Sequence, residues 1–133
     1  MSELINTSLE ICAERAGDIS SIVYQNFFAS NAQANKLMAH ADEYMQGRMI
    51  AETIGLLLTD EHFGASGYLN WEVKNHLLAY GVSVDMYGDY LLAMKETVQT
   101  TLGDDWSKHL EDAWSKRIER ILNEIQTEAK SLA

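Results

Sequence analysis

A chain of 133 residues forms one domain, residues 1–133, because folding at this size buries roughly two-thirds of the chain's surface and leaves no room for a second core. Its 20 acidic residues against 10 basic ones give a net charge of −10, which excludes the clustered cations that nucleic-acid binding requires. With no proline to interrupt helices and an abundance of Ala, Leu, Met, Glu and Lys, the fold class is all-α, with six to seven helices.

Cys12 is the single cysteine, so no internal disulfide forms. The first residues lack the basic region and long apolar run of a secretion signal, and no stretch reaches the roughly 20 apolar residues of a membrane span. The expected location is the cytoplasm, with no membrane partner.

The chain opens with an amphipathic helix, in which Leu4, Ile5, Leu9, Cys12, Ala13 and Ala16 recur at helical spacing. Cys12 belongs to that stripe as a small buried hydrophobe. Gly17 breaks the helix, and Asp18 is the expected cap of the next. The second helix, residues 19–30, is apolar on two sides: Ile19, Ile22 and Val23 on one, Tyr24, Phe27 and Phe28 on the other. Tyr24 therefore points inward with a hydroxyl that needs a partner. By itself this is an aromatic filler reaching a carbonyl or a ligand-binding group.

Residues 31–38 read as a short helix or turns, followed by His40 beside Asp42 and Glu43, a surface histidine near carboxylates. From 42 to 59 a long helix carries Gln46, Met49, Ile50, Thr53, Ile54 and Leu57 on one arc, and Gly47 is placed to let another helix approach closely. Residues 60–67, with two glycines and His62, form a loop.

Leu69, Val73, His76, Leu77 and Tyr80 then share one helical arc, which puts a histidine inside an apolar stripe. Such an imidazole is either neutral and satisfied by a backbone carbonyl or a ligand to a metal or a cofactor iron. Gly81 ends that helix and Ser83 starts another, whose face is Val84, Tyr87, Leu91, Met94 and Val98 and which closes at Leu102-Gly103. Asp104-Asp105 cap the last helix, striped by Leu110, Ala113, Trp114, Ile118, Ile121 and Ile125; Arg117 falls in this arc and must snorkel or pair with an acid.

The order and spacing of these residues resemble the globins, particularly bacterial single-domain globins and the globin domain of flavohaemoglobins. The likeness spans the chain and is carried by a histidine on an apolar helix, Gly81-Val82, Tyr87, Leu102-Gly103 and Ala113-Trp114 in the C-terminal half, and by Tyr24, Phe28 and Asn31 in the N-terminal half. It implies a globin fold around haem b, with His76 as the iron ligand and Phe28, Met38, Met49, Ile50, Leu77, Val82 and Tyr87 around the cofactor. Tyr24 and Gln46 match the distal pair that donates hydrogen bonds to dioxygen.

Two positions depart from the family pattern. Met38 stands where nearly all haem globins have a phenylalanine wedged against the porphyrin, and Ala32 stands where a proline often turns the chain. Met is apolar and adaptable, so it can fill that place.

The function so implied is binding of dioxygen, and of nitric oxide, at an iron able to be pentacoordinate. It serves either reversible oxygen binding or conversion of nitric oxide to nitrate. The latter needs a separate reductase, since the chain has no flavin or nicotinamide domain. No catalytic side chain is assigned, and both monomer and homodimer are compatible with the sequence. The alternative is a globin-fold sensory or protein-interaction module, haem-based or haem-free, without catalysis. Met38 and the acidic surface favour it.

Overall fold

The computed structural model describes residues 2–38, 42–58 and 84–131, and these contain six α-helices, one 3-10 turn and no strand. The helices are α1 (Ser2–Ala16), α2 (Ser20–Ser30), α3 (Ala32–Leu37), α4 (Glu43–Leu57), α5 (Val84–Leu102) and α6 (Lys108–Ser131). The expected helix around His76, and the loop carrying His62, lie outside the described residues, as does His40. No described helix is long and apolar enough to cross a membrane.

Local chemistry sets the boundaries. Gly17 takes φ 67°, a left-handed conformation that other residues rarely adopt, and its N–H donates to the Ala13 carbonyl at 2.9 Å to close α1. The Asp18 carboxylate then accepts from the Ser20 N–H at 2.9 Å and the Ser20 hydroxyl at 2.6 Å, which holds its pKa below the usual carboxylate value. The N-cap itself is Ile19, so Asp18 starts α2 from one residue further out than a capping aspartate.

Asn31 joins three helices. Its N–H ends α2 on the Phe27 carbonyl, its Oδ1 accepts from the Ala34 N–H at 3.0 Å to begin α3, and its Nδ2 donates to Asp89 of α5 at 3.0 Å. Asp42 caps α4 by accepting from the Met45 N–H at 2.9 Å. After α5, Gly103 turns the chain at φ 53° into the 3-10 turn Gly103–Asp105. Asp104 and Asp105 lie in that turn rather than capping α6; the cap is Ser107, whose Oγ accepts from the Leu110 N–H at 3.1 Å.

Helix α5 is the centre of the packing, against α2, α1 and α6, while α4 lies on α2 and α6 also contacts α1 and α4. The apolar stripes meet where their spacing predicts: Ile5, Val23, Leu57, Met94, Val98, Trp114, Ile121 and Ile125 are all buried in one core. Leu4 and Ile22, both placed on apolar stripes by spacing, are exposed.

Three buried polar groups tie helices together. Trp114 donates from Nε1 to Ser8 at 3.0 Å, and Ser8 donates to the Ile5 carbonyl at 2.6 Å. Asn26 of α2 donates to Thr97 of α5 at 3.0 Å. Arg117 does not snorkel, being 2% exposed; its guanidinium donates to the Leu57 carbonyl at the end of α4 and reaches the Ser2 hydroxyl. A cation on the last carbonyls of a helix is favourably placed in the helix field.

Candidate functional site

Of the residues assigned to a site by sequence, Tyr24, Phe28, Met38, Gln46, Met49, Ile50 and Tyr87 are described, whereas His76, Leu77 and Val82 lie outside the described residues. The described ones come from α2, α4 and α5 and from the end of α3. Of these, Phe28 and Met49 are in direct contact with Tyr24.

Tyr24 is 1% exposed, and its hydroxyl donates to the Met49 thioether at 3.6 Å. Its ring lies 5.6 Å from Phe28 and 5.6 Å from Tyr90, with Phe27 edge-on at 6.2 Å. Phe27 in turn meets Tyr90 edge-on at 5.4 Å. Four aromatic rings from α2 and α5 thus form one cluster, in the tilted and edge-to-face arrangements that ring quadrupoles favour.

Burial pushes the pKa of the Tyr24 phenol well above the ordinary tyrosine value, and the neighbouring Tyr90 pushes it further. The group therefore stays a protonated donor. A thioether is a weak acceptor for it.

Gln46 is half-buried on α4, one turn before Met49 and Ile50, so it shares their face. Ile50 is buried, and Phe28, Met38, Met49 and Tyr87 are half-buried. Met38 is the C-cap residue of α3 and packs against the core, as do Phe28 and Tyr87. The close helix approach expected at Gly47 does not occur among the described residues: a Cβ added there meets nothing within 4 Å.

Two residues of this cluster were not assigned to the site by sequence, although Thr53 was placed on the inward arc of its helix. Tyr90 and Thr53 bring hydroxyls 3.2 Å apart beside Tyr24, and Thr53 Oγ1 also lies 2.8 Å from the Met49 carbonyl. The signal for Tyr90 was present, since Met86, Tyr90, Ala93 and Thr97 recur at helical spacing as a second arc of α5 beside the one led by Tyr87.

No group of three or more His, Cys, Asp or Glu side chains among the described residues is arranged to hold a metal ion, and His109 is exposed on α6. No protein-family model matches the chain, and no curated protein matches it either.

Proposed function

We propose that this chain is a haem-binding globin of the bacterial type, which binds dioxygen and nitric oxide for oxygen binding or nitric oxide detoxification with a separate reductase. The observation that carries the reading is the Tyr24 phenol: a nearly fully buried donor whose hydroxyl meets a thioether on α4, one turn after Gln46. A donor kept dry and paired with a weak acceptor is available to a stronger one. The helix order supports the same reading, with Tyr24 on α2, Gln46 on α4, and His76 expected in the segment between α4 and α5.

The residues present fit haem. His76 would hold the iron, and Phe28, Met38, Met49, Ile50, Leu77, Val82 and Tyr87 would supply an apolar surround of aromatic, aliphatic and thioether groups. When bound, haem supplies reversible coordination of a diatomic gas and one-electron chemistry. The chain would supply the rest: Tyr24 and Gln46 would donate hydrogen bonds to a polarised diatomic ligand, and the aromatic cluster would keep water from the phenol.

A haem-free interaction module is the second reading. It is favoured by the same hydroxyl, since Met49 already gives Tyr24 a partner within the protein. The visible spectrum separates the two. Hemin titration of the full chain is expected to give a strong Soret band that is retained in His109→Ala and lost in His76→Ala. Because groups that merely orient a metal ligand contribute about 10- to 100-fold to affinity, loss of the ligand itself is expected to weaken hemin retention by more than about 100-fold. A colourless chain that cannot be reconstituted leaves the haem-free module, and a Soret band that survives in His76→Ala removes His76 as the ligand.

A further inference from the structure

Among the described methionines, Met86 and Met94 are sealed in the core and Met45 is exposed, while Met38 and Met49 are half-buried. Met49 is the one of these whose sulfur accepts a hydrogen bond, from the Tyr24 hydroxyl at 3.6 Å, and that bond is partly buried. A side chain with a solvent-facing part is thus tied to a phenol that has almost none. Exposure governs how readily an oxidant converts a thioether to a sulfoxide. In a core this product is normally disruptive, because a polar oxygen left without a donor destabilises the fold. At Met49 a donor is already in place. The Tyr24 hydroxyl stays protonated in alkaline solution because burial raises its pKa, and the rotatable bonds of methionine let a new oxygen turn toward it.

We propose that Met49 is an oxidation site, at which a hydroperoxide converts the thioether to a sulfoxide whose oxygen takes the Tyr24 hydrogen bond. With hydrogen peroxide, a sulfur lone pair attacks one peroxide oxygen, and an S–O bond forms as the O–O bond breaks. The departing hydroxide takes the proton shed by the transferred oxygen and leaves as water. Sulfur loses two electrons and the peroxide gains them. Because a thioether is a weak acceptor and a sulfoxide oxygen a polar one, the hydroxyl is held more firmly after oxidation than before. If Tyr24 serves a distal ligand, the sulfoxide competes for the same hydrogen and oxidation weakens dioxygen binding. That consequence rests on the proposed function, and the site itself does not.

The test treats the full chain, without added hemin, with hydrogen peroxide under folding conditions and maps the sulfoxides by peptide mass spectrometry. Met49 is expected to oxidise after the exposed Met45 and while Met86 and Met94 are still thioethers. Reaction of Met49 only together with Met86 and Met94 overturns the proposal, since oxidation then requires the core to open. Stability gives the second arm. On oxidation the folding equilibrium constant of Tyr24→Phe is expected to fall about two- to tenfold further than that of wild type, the equivalent of one ordinary hydrogen bond. Oxidation at the other methionines is common to both chains and cancels in this comparison. An equal fall overturns the proposal.

Wild type carries the test if Tyr24→Phe does not fold. Its Tyr24 hydroxyl proton, protected from exchange by burial, is expected to move downfield in the proton NMR spectrum on oxidation, and to stay in place when Met49→Leu is oxidised. An unmoved resonance in wild type, or an equal movement in Met49→Leu, overturns the proposal. Failure of the haem reading alone leaves the wild-type shift in place.

Discussion

The two sides of the core treat their buried polar groups differently. Where α1, α4 and α6 meet, every donor described above ends on oxygen: Trp114 on Ser8 at 3.0 Å, Ser8 on the Ile5 carbonyl at 2.6 Å, and Arg117 on the Leu57 carbonyl. Where α2, α4 and α5 meet, the most buried phenol among the described residues turns to a thioether. The first arrangement gains nothing from a ligand. The second can exchange partners at small cost, because a weak acceptor is easily replaced by a stronger one. The two arrangements are joined through α5, which packs against both α2 and α6.

The largest expected effect tests the first side. Trp114 is wholly buried, so Trp114→Ala removes a large core side chain and leaves Ser8 without its donor; it should destabilise the fold by about 3–5 kcal/mol in chemical denaturation. A loss below about 1 kcal/mol would dissolve the distinction between the sides.

Next in size is Tyr24→Phe, which deletes the donor on the second side and keeps the ring. Dioxygen release from the haem-loaded ferrous protein should quicken about ten- to a hundredfold, as expected for a partly charge-assisted hydrogen bond worth roughly 1.5–3 kcal/mol. Carbon monoxide, which carries little charge on its outer atom, should respond much less. Gln46→Leu should act in the same direction and combine non-additively with Tyr24→Phe if both groups form one network. Stopped-flow measurement showing equal dioxygen rates in wild type and Tyr24→Phe would remove the binding role from this side.

The smallest effect appears in alkaline solution. Both Tyr24 and Cys12 have pKa values raised by burial above the ordinary values of 10.0 and 9.0. Below those values both states of the chain are protonated and the stability is fully present. Above them the unfolded chain releases protons that the folded one keeps, so stability falls, by up to about 1.4 kcal/mol per pH unit for Tyr24 and in the same direction for Cys12. Denaturation curves between about pH 9 and 11 should therefore show Cys12→Ala flatter than wild type from about pH 9, and Tyr24→Phe flatter from about pH 10. Identical slopes in wild type and Tyr24→Phe would mean that the phenol is not dry.

Much of the architecture was legible in the sequence because it follows from periodicity. The stripe of α6 is buried as its spacing requires, as are Ile50, Thr53 and Leu57 of α4 and Leu91, Met94 and Val98 of α5, and Gly17 and Gly103 mark real ends. Tyr24 was legible as an inward group for the same reason. What escaped was the choice among hydrogen-bonding residues. Ser8 looks like any small helical residue until the distant Trp114 donates to it. Asp104 and Asp105 are good caps by type, yet the turn at Gly103 draws them into a 3-10 segment and leaves the capping to Ser107. That Arg117 reaches a backbone carbonyl at the end of α4 cannot be foreseen from composition.

Cys12, the only thiol in the chain, is 1% exposed and carries a pKa raised by burial, only partly offset by a hydrogen bond with Thr101. Reaction with an alkylating reagent requires both access and the thiolate, and the folded state denies it both. Its modification rate at constant pH therefore counts how often α1 leaves the core, which makes the residue a built-in clock for opening. If α1 detaches by itself, that clock runs faster than global unfolding. If it ticks only with the whole chain, the N-terminal helix belongs to the same cooperative unit as Trp114.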